Sequence, residues 1–260
     1  MNHLSMNKAD TAGTLTKVAE VTLLFWVLKI IATTLGETAG DALSMTLGLG
    51  YVTGLIITAV FLIAVLFAQI GARQYRMSLF WLAVVATTTM GTEISDMMDR
   101  TLGLGYVWGS VILVSGLLAT LAVWYYRKRD LSISRIVRTD TEIMFWIAVI
   151  FSNSLGTAFG DALVDVVGLS YIQGALVTAG VIGVVLALHY ATRVNGIVLF
   201  WVAFIFTRPF GATFGDFLTK SVHQGGLELG RLQASAVAVA LMGALMLVAS
   251  RPWSASRRLA

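Results

Sequence analysis

The sequence predicts an all-α integral membrane protein with eight transmembrane helices, arranged as four tandem helical hairpins in two parallel pseudo-symmetric halves. The first observation behind this is composition: of 260 residues, 57% are hydrophobic and 12% are charged, and the mean hydropathy is +0.83. A water-soluble protein of this size cannot hide that much apolar surface in its core. The second observation is a pattern that recurs four times, with two membrane-length apolar runs in each copy.

The repeated pattern begins with a Phe-Trp pair, has a glycine ten residues after the tryptophan, and has an aspartate five residues after the glycine. The pairs are Phe25-Trp26, Phe80-Trp81, Phe145-Trp146 and Phe200-Trp201. The glycines are Gly36, Gly91, Gly156 and Gly211, and the aspartates are Asp41, Asp96, Asp161 and Asp216. The segments LGLGYVTG, LGLGYVWG and VGLSYIQG follow in the first three copies and indicate turns, whereas the fourth copy departs with VHQGGLELG.

Each copy supplies two apolar runs, at 18–40 and 51–70 in the first copy, and each run is near the ~20 residues that a helix needs to cross a membrane. Because every copy has an even number of spans, all four copies enter the membrane from the same side, so the halves are parallel and not inverted repeats. The predicted segments are a tail 1–17, a first half 18–126, a basic connection 127–142, a second half 143–250 and a tail 251–260.

The distribution of basic residues predicts the orientation. Thirteen of the 18 lysines and arginines lie in the tails or between copies, and only Arg100, Lys220 and Arg231 lie in loops within copies. Both termini are therefore expected in the cytoplasm, with the aspartates towards the outer side of the membrane. Topology accounts for the basic face, so the expected partners are the lipid bilayer and a small ion or solute, not nucleic acid. The sequence leaves a homo-oligomer open.

This fourfold pattern resembles a bacterial membrane-protein family that is described only as a repeat of unknown function. The resemblance covers residues 20–250 and rests on the Phe-Trp pair and the Gly-x4-Asp spacing of each copy. It implies an eight-helix protein of the bacterial inner membrane with a repeated tryptophan. It implies no established activity, so the function has to be argued from the residues.

Carboxylates within the apolar runs are candidate functional groups, because an unpaired charge in the membrane interior costs several kcal/mol. The candidates for binding a cation or proton are Glu37, Asp41, Glu93, Asp96, Asp161 and Asp216. Parallel insertion places the four repeated aspartates at a common depth. Carboxylates that share a cavity suit a hard cation or share a proton, and the metal ligands are expected to be Glu37, Asp41, Glu93 and Asp96. In the alternative interpretation, each aspartate caps a helix or accepts hydrogen bonds from loop amides.

Two basic residues also lie inside apolar runs. Lys29 is aligned with valine or phenylalanine in the other copies, and Arg208 is followed by Pro209. We expect both bases to compensate carboxylates, with the alternative that Arg208 is only a structural ion-pair partner. The proline predicts that the seventh helix is kinked or unwound at this point.

Polar residues aligned with Arg208 in the other copies are expected to line the same space. They are Thr33, Thr88 and Asn153. Alternatively, such hydroxyls bond their own backbone or a neighbouring helix.

These features favour a transporter or exporter whose intramembrane carboxylates bind a divalent metal or a proton and couple it to solute movement. The alternative is a non-transporting scaffold or sensor subunit whose aspartates are structural. An enzyme is not expected, because the chain has no cysteine, nucleophile motif, phosphate loop or metal-ligand spacing of histidines. No cofactor is expected apart from a bound metal cation.

Overall fold

The computed structural model describes residues 16–133 and 136–250, and within them eight helices are long and apolar enough to cross a membrane. They are α1 Leu23–Asp41, α2 Gly50–Gly71, α3 Met77–Asp96, α4 Gly105–Lys128, α5 Thr139–Asp165, α6 Tyr171–Ala191, α7 Gly196–Thr219 and α8 Arg231–Ser250. Single π-helical turns, Ala42–Thr46 and Met97–Thr101, extend α1 and α3. The predicted all-α membrane fold is confirmed. Apart from residues 16 and 17, the two predicted tails lie outside the described residues.

The first helix begins later than the predicted run 18–40, because Thr22 caps it. The Thr22 hydroxyl accepts a hydrogen bond from the Phe25 amide at 3.3 Å. The segment 16–22 instead crosses the end of the helix bundle, where Val18 is buried. Lys17 Nζ donates to Glu142 Oε2 of α5 at 3.0 Å and to the Ile70 carbonyl of α2 at 2.9 Å. This buried contact fastens the start of the described chain to two helices.

Tight turns join the two helices of the first two repeats. Gly48, Gly50, Gly103 and Gly105 have φ between 63° and 74°, a left-handed conformation that glycine adopts without steric cost. The LGLGY segments therefore form the predicted turns. The end of the bundle that carries the turns within repeats is called the turn end, and the end that carries the connections between repeats is called the connection end.

The first helix of each repeat is internal and the second is external. The inner helices α1, α3, α5 and α7 form a closed ring in which each packs against two neighbours, and α7 closes on α1. In their most apolar stretches, between 56% and 67% of residues are buried, against 17% to 22% in the outer helices. Apolar side chains such as Phe67 and Ile63 remain exposed on α2, as a lipid-facing surface requires.

Each outer helix packs mainly on the inner helix of the next repeat. Helix α2 packs on α3, α4 on α5, α6 on α7, and α8 returns to α1. The two helices of one repeat are joined at the turn and diverge from it. The four hairpins are thus open and interlocked around a pseudo-fourfold axis.

The repeated Phe-Trp pairs form an aromatic belt around the connection end of the ring. The phenylalanine of each repeat meets the tryptophan of the next, with ring centroids 5.5 to 6.5 Å apart. The contacts are Phe25–Trp81, Phe80–Trp146, Phe145–Trp201 and Phe200–Trp26. Packing between successive repeats therefore explains why the Phe-Trp pair recurs in each copy. The aromatic rings fill the inner ring of helices at this level.

The repeated glycines allow neighbouring inner helices to approach closely. A Cβ atom on any of them would lie within 3.0 Å of atoms in the next inner helix. The contacts are Gly36 with Thr88, Gly91 with Asn153, Gly156 with Arg208 and Gly211 with Thr33. Four residues on, each repeat has a second small residue, namely Gly40, Ser95, Gly160 and Gly215. Small residues at this spacing are typical of helix interfaces in membranes.

Candidate functional site

Three layers of equivalent residues follow the aromatic belt along the inner ring. The lysine layer consists of Lys29, Val84, Val149 and Phe204. The arginine layer consists of Thr33, Thr88, Asn153 and Arg208. The aspartate layer consists of Asp41, Asp96, Asp161 and Asp216. All the predicted site residues belong to these layers or lie between the last two, and each is at most 7% exposed.

Arg208 lies at the centre of the ring and pairs with Glu37. Its Nη2 donates to Glu37 Oε2 at 2.9 Å and to the Thr92 hydroxyl, and its Nη1 donates to the Thr33 carbonyl at 3.3 Å. The arginine is fully buried and Glu37 is 4% exposed. One guanidinium from α7 therefore contacts both α1 and α3, and it compensates a carboxylate as the sequence suggested.

Asp41 and Asp216 share a base from the turn end. Lys220 Nζ lies 3.4 Å from Asp41 Oδ2 and 3.1 Å from Asp216 Oδ1, and Arg231 Nε donates to Asp41 Oδ2 at 3.1 Å. Burial would by itself lower the pKa of Lys220, but the nearby carboxylates of Asp216 and Asp41 raise it above its usual value. Lys220 is therefore a charged ammonium that bridges two helix ends of the ring.

Asp96 and Asp161 share Arg100 in the same way. Arg100 Nε lies 3.3 Å from Asp96 Oδ1, and its Nη2 lies 4.0 Å from Asp161 Oδ2. The four aspartates are thus compensated by basic side chains, and among the described residues no loop amide donates a hydrogen bond to them. The helix-capping alternative does not describe this arrangement.

Three buried carboxylates come together where α7 closes on α1. One oxygen from each of Glu37, Asp41 and Asp216 lies within 4.8 Å of the other two. This is the only group of three potential metal ligands of this kind among the described residues. Oxygen atoms at this spacing could hold a hard cation after small side-chain movements.

The predicted metal ligands Glu93 and Asp96 do not join this group. Glu93 is aligned one residue beyond Glu37, which rotates it by about 100° around its helix. Its two oxygens instead accept hydrogen bonds from the Ser44 hydroxyl at 2.6 and 2.7 Å, while Asp96 faces Arg100. The place of the third ligand is taken by Asp216 from the other half of the chain.

The site holds more carboxylates than bases. Within the described part of the chain, the six predicted acids lie near four bases that approach a carboxylate within 4.0 Å: Arg100, Arg208, Lys220 and Arg231. Glu93 is fully buried, and its hydrogen-bond donor is a neutral hydroxyl. Buried like charges are costly, so the surplus favours binding of protons or a cation.

A cavity of about 230 Å³ opens beside the carboxylates at the turn end. Its lining includes Asp161, Asp165 and Asp216 as acids and Arg100 and Lys220 as bases. Asp216 is 5% exposed, and its Oδ1 lies 3.1 Å from the Lys220 ammonium. A buried, paired carboxylate thus borders a polar space.

Lys29 does not compensate a carboxylate within residues 16–133 and 136–250. Its Nζ donates to Asn153 Oδ1 at 3.3 Å and lies 4.1 Å from the centroid of the Phe204 ring. The expectation that it pairs with an acid is therefore wrong for this structure, because the surrounding layer is apolar and the acids lie two or more helical turns towards the turn end.

The predicted polar lining and the predicted unwinding at Pro209 also need correction, while the alternative of a kink stays a prediction. Thr33 donates to the Thr207 carbonyl at 3.2 Å and Thr88 to the Ala32 carbonyl at 3.0 Å, so both hydroxyls join neighbouring inner helices and do not line a space. Helix α7 is continuous through Pro209, so it is not unwound there. The close packing of Pro209 against Gly156 holds the helix in place.

A family model described as Repeat of Unknown Function (DUF347) matches four segments of the chain, at residues 24–75, 79–130, 144–195 and 199–252. Together these segments cover most of the sequence. The chain belongs to this family. Each matched segment contains one inner and one outer helix, so the repeat of the family corresponds here to one open hairpin. No curated protein and no solved structure matches the chain.

The sequence reasoning missed the bases that accompany the aspartates of this family member. Arg100 and Lys220 each follow an aspartate of the pattern by four residues, which places both on one helical face. With Arg231, they are the bases that stand in loops within copies. The four-residue spacing and the position in a loop within a copy together identify Arg100 and Lys220 as partners of the aspartates. No sequence signal points to Ser44 as the partner of Glu93.

Proposed function

We propose that this protein is a membrane transporter or exporter whose cluster of carboxylates binds a cation, either a divalent metal ion or a proton. Binding of this cation is coupled to movement of a solute. The observation that carries the proposal is that Glu37, Asp41 and Asp216 form a buried cluster of carboxylates. Asp216 of this cluster also lines the polar cavity at the turn end. The surplus of acids over bases supports it further. Oxygen ligands favour hard cations such as Mg²⁺, Ca²⁺ and Mn²⁺.

Access to the carboxylates differs between the two ends of the bundle. The cavity reaches Asp161 and Asp216 from the turn end, while the lysine layer and the aromatic belt fill the ring towards the connection end. Access from one side at a time is what a transporter needs. The distribution of basic residues supports an orientation with the turn end outside and both termini in the cytoplasm of an inner membrane.

Arg208 gives the proposed site a resident counter-ion. A cation that binds Glu37 competes with the guanidinium, so binding favours an arrangement in which Arg208 has left Glu37. The contacts of Arg208 with α1 and α3 then change at the same time. This links occupancy of the site to the packing of the inner ring.

Transport by proteoliposomes tests the proposal. Purified protein is reconstituted, and uptake of Mn²⁺, Mg²⁺, Ca²⁺ and protons is measured for the wild type and for the four variants Asp41→Asn, Asp96→Asn, Asp161→Asn and Asp216→Asn. We expect each variant to fold and to lose transport. The matched control is Asp140→Asn, an aspartate at the connection end whose side chain is 44% exposed. Full transport by all four variants would contradict the proposal.

A non-transporting scaffold or sensor subunit is the second candidate. The observation that favours it is that each aspartate of the aspartate layer lies within 4.0 Å of a base, as in a structural ion-pair network. In that case no tested cation crosses the membrane, and the four asparagine variants lower thermal stability instead. The same purified proteins therefore separate the two candidates.

A further inference from the structure

Lys29 is the one ionisable side chain in an otherwise apolar layer. Its equivalents are Val84, Val149 and Phe204, and all four residues are at most 2% exposed. The layer separates the carboxylates from the aromatic belt. An ionisable group in such a barrier is costly and is a candidate for function.

The surroundings of Lys29 provide little for a permanent ammonium. Three N–H donors of an ammonium meet one hydrogen-bond acceptor, Asn153 Oδ1, and one aromatic face, Phe204, among the described residues. Among the described residues, the charged group that acts on Lys29 is Arg208, which has the same sign. An amine that gains and loses a proton fits these contacts better than a fixed charge does.

We propose that Lys29 carries the proton that this protein exchanges for its cation. The inference rests on the proposed function and adds the coupling ion and its carrier. When a cation binds Glu37, Arg208 loses its counter-ion, and its uncompensated positive charge disfavours the like charge of the Lys29 ammonium. The Nζ–H bond of Lys29 then breaks, the electron pair stays on nitrogen, and the proton passes to water that the repacked inner ring admits to this layer. When the cation leaves, Arg208 returns to Glu37 and the amine takes a proton from water.

The other charged groups on the packed helices are already engaged elsewhere. Glu93 and Asp96 of α3 and Arg231 of α8 lie at the turn end, where they contact Ser44, Arg100 and Asp41 respectively. Glu142 of α5 pairs with Lys17 at the connection end. Within the described chain, Arg208 is thus the group through which occupancy of the carboxylates can reach Lys29. Cation and proton then exclude one another, and by linkage each lowers the affinity for the other equally.

The test uses proteoliposomes that contain a pH-sensitive dye, with radioactive Mn²⁺ added outside. Lys29→Val introduces the residue that two other repeats have at this position, so the layer should pack and the protein should fold. For the wild type we expect the lumen to become alkaline as Mn²⁺ enters. For Lys29→Val we expect at least a tenfold smaller pH change per Mn²⁺ taken up. The control is Lys128→Met, a lysine paired at the surface with Asp140.

An unchanged pH response per Mn²⁺ in Lys29→Val would overturn the inference while leaving the transport proposal intact. If the wild type moves no Mn²⁺, the transport proposal fails for this ion, and NMR decides the state of Lys29. The protein is labelled with ¹³C at lysine Cε and reconstituted in nanodiscs, and the Lys29 signal is identified by its loss in Lys29→Val. A signal that moves between the ammonium and amine positions with pH supports the inference. A signal that stays at the ammonium position at every pH overturns it.

Discussion

Arg208 and Glu37 form an ion pair of 2.9 Å across the interface at which α7 closes the inner ring on α1. The other copies have threonine or asparagine in place of the arginine, and threonine or alanine in place of the glutamate. The closing interface is therefore where charge breaks the fourfold pattern. It is also where Asp41 and Asp216 meet, so the candidate site and the broken symmetry coincide.

Removing one partner of this pair should destabilise the protein more than removing both. Arg208→Met leaves the Glu37 charge buried, and we expect a loss of about 3–5 kcal/mol in the free energy of unfolding. The double variant Arg208→Met/Glu37→Gln should recover at least half of that loss, because no charge remains uncompensated. Thermal unfolding in detergent of the wild type, the two single variants and the double variant completes the double-mutant cycle. Additive losses in the double variant would show that the pair contributes no coupling energy.

A methyl group on a repeated glycine should weaken the inner ring. Gly211→Ala would place a Cβ within 3.0 Å of the backbone and side chain of Thr33, and overpacking of this kind costs about 1–3 kcal/mol. Gly180→Ala on α6 is the control, since a Cβ there meets no heavy atom within 4 Å. We expect a lower melting temperature for Gly211→Ala only. Equal melting temperatures would contradict the close packing of α7 on α1.

Lys220 should compete with a bound cation for Asp41 and Asp216. Lys220→Met removes a positive charge from both carboxylates, so we expect Mn²⁺ to bind at least about tenfold more tightly, or by about 1.4 kcal/mol. Because nearby carboxylates raise the pKa of Lys220, its ammonium persists beyond the ordinary lysine pKa of about 10.4, so the effect should not vary between neutral and mildly alkaline pH. Calorimetry on the purified proteins gives the Mn²⁺ affinities of the wild type and of Lys220→Met. Weaker binding in Lys220→Met would mean that the lysine supports the site.

The contact between Lys17 and Glu142 should hold the segment 16–22 against the bundle. Glu142→Ala removes the acceptor of both Lys17 and Gln69, and it leaves a buried ammonium without its partner. We expect hydrogen exchange of residues 16–22 to accelerate by at least tenfold, measured by mass spectrometry. Asp140→Asn, two residues away and exposed, is the control. Unchanged exchange in Glu142→Ala would assign the docking to the remaining contacts, namely Lys17 with the Ile70 carbonyl and the burial of Val18.

The sequence predicts the helices and the common level of the four aspartates well, because both depend on the length of apolar runs and on spacing within one repeat. The glycine after each Phe-Trp pair was recognised as periodic, but its role depends on Thr88, Asn153, Arg208 and Thr33 in the neighbouring repeat. Periodicity within one chain does not say which helix becomes the neighbour. The pairing of inner and outer helices across repeats could not be predicted for the same reason.

The sequence predicts which residues are buried at the site better than it predicts which of them lie together. Glu37 and Asp41 belong to the three-carboxylate group, but Asp216 comes from a segment distant in sequence. The prediction of Glu93 as a ligand failed because a shift of one residue turns its side chain towards Ser44. Lys29 was correctly recognised as unusual, while its lack of a carboxylate partner depends on the apolar layer that the other three repeats complete.

The interlocking of each outer helix with the following repeat has a consequence for how such a protein can be assembled. A single two-helix unit would present a donor surface on its outer helix and an acceptor surface on its inner helix, and neither surface could be satisfied within the unit. Association of such units is head-to-tail, and it ends when the fourth donor meets the first acceptor, as α8 meets α1. The chain therefore has the geometry of a cyclic homotetramer whose subunits have been fused, and covalent linkage allows each subunit to carry different charges.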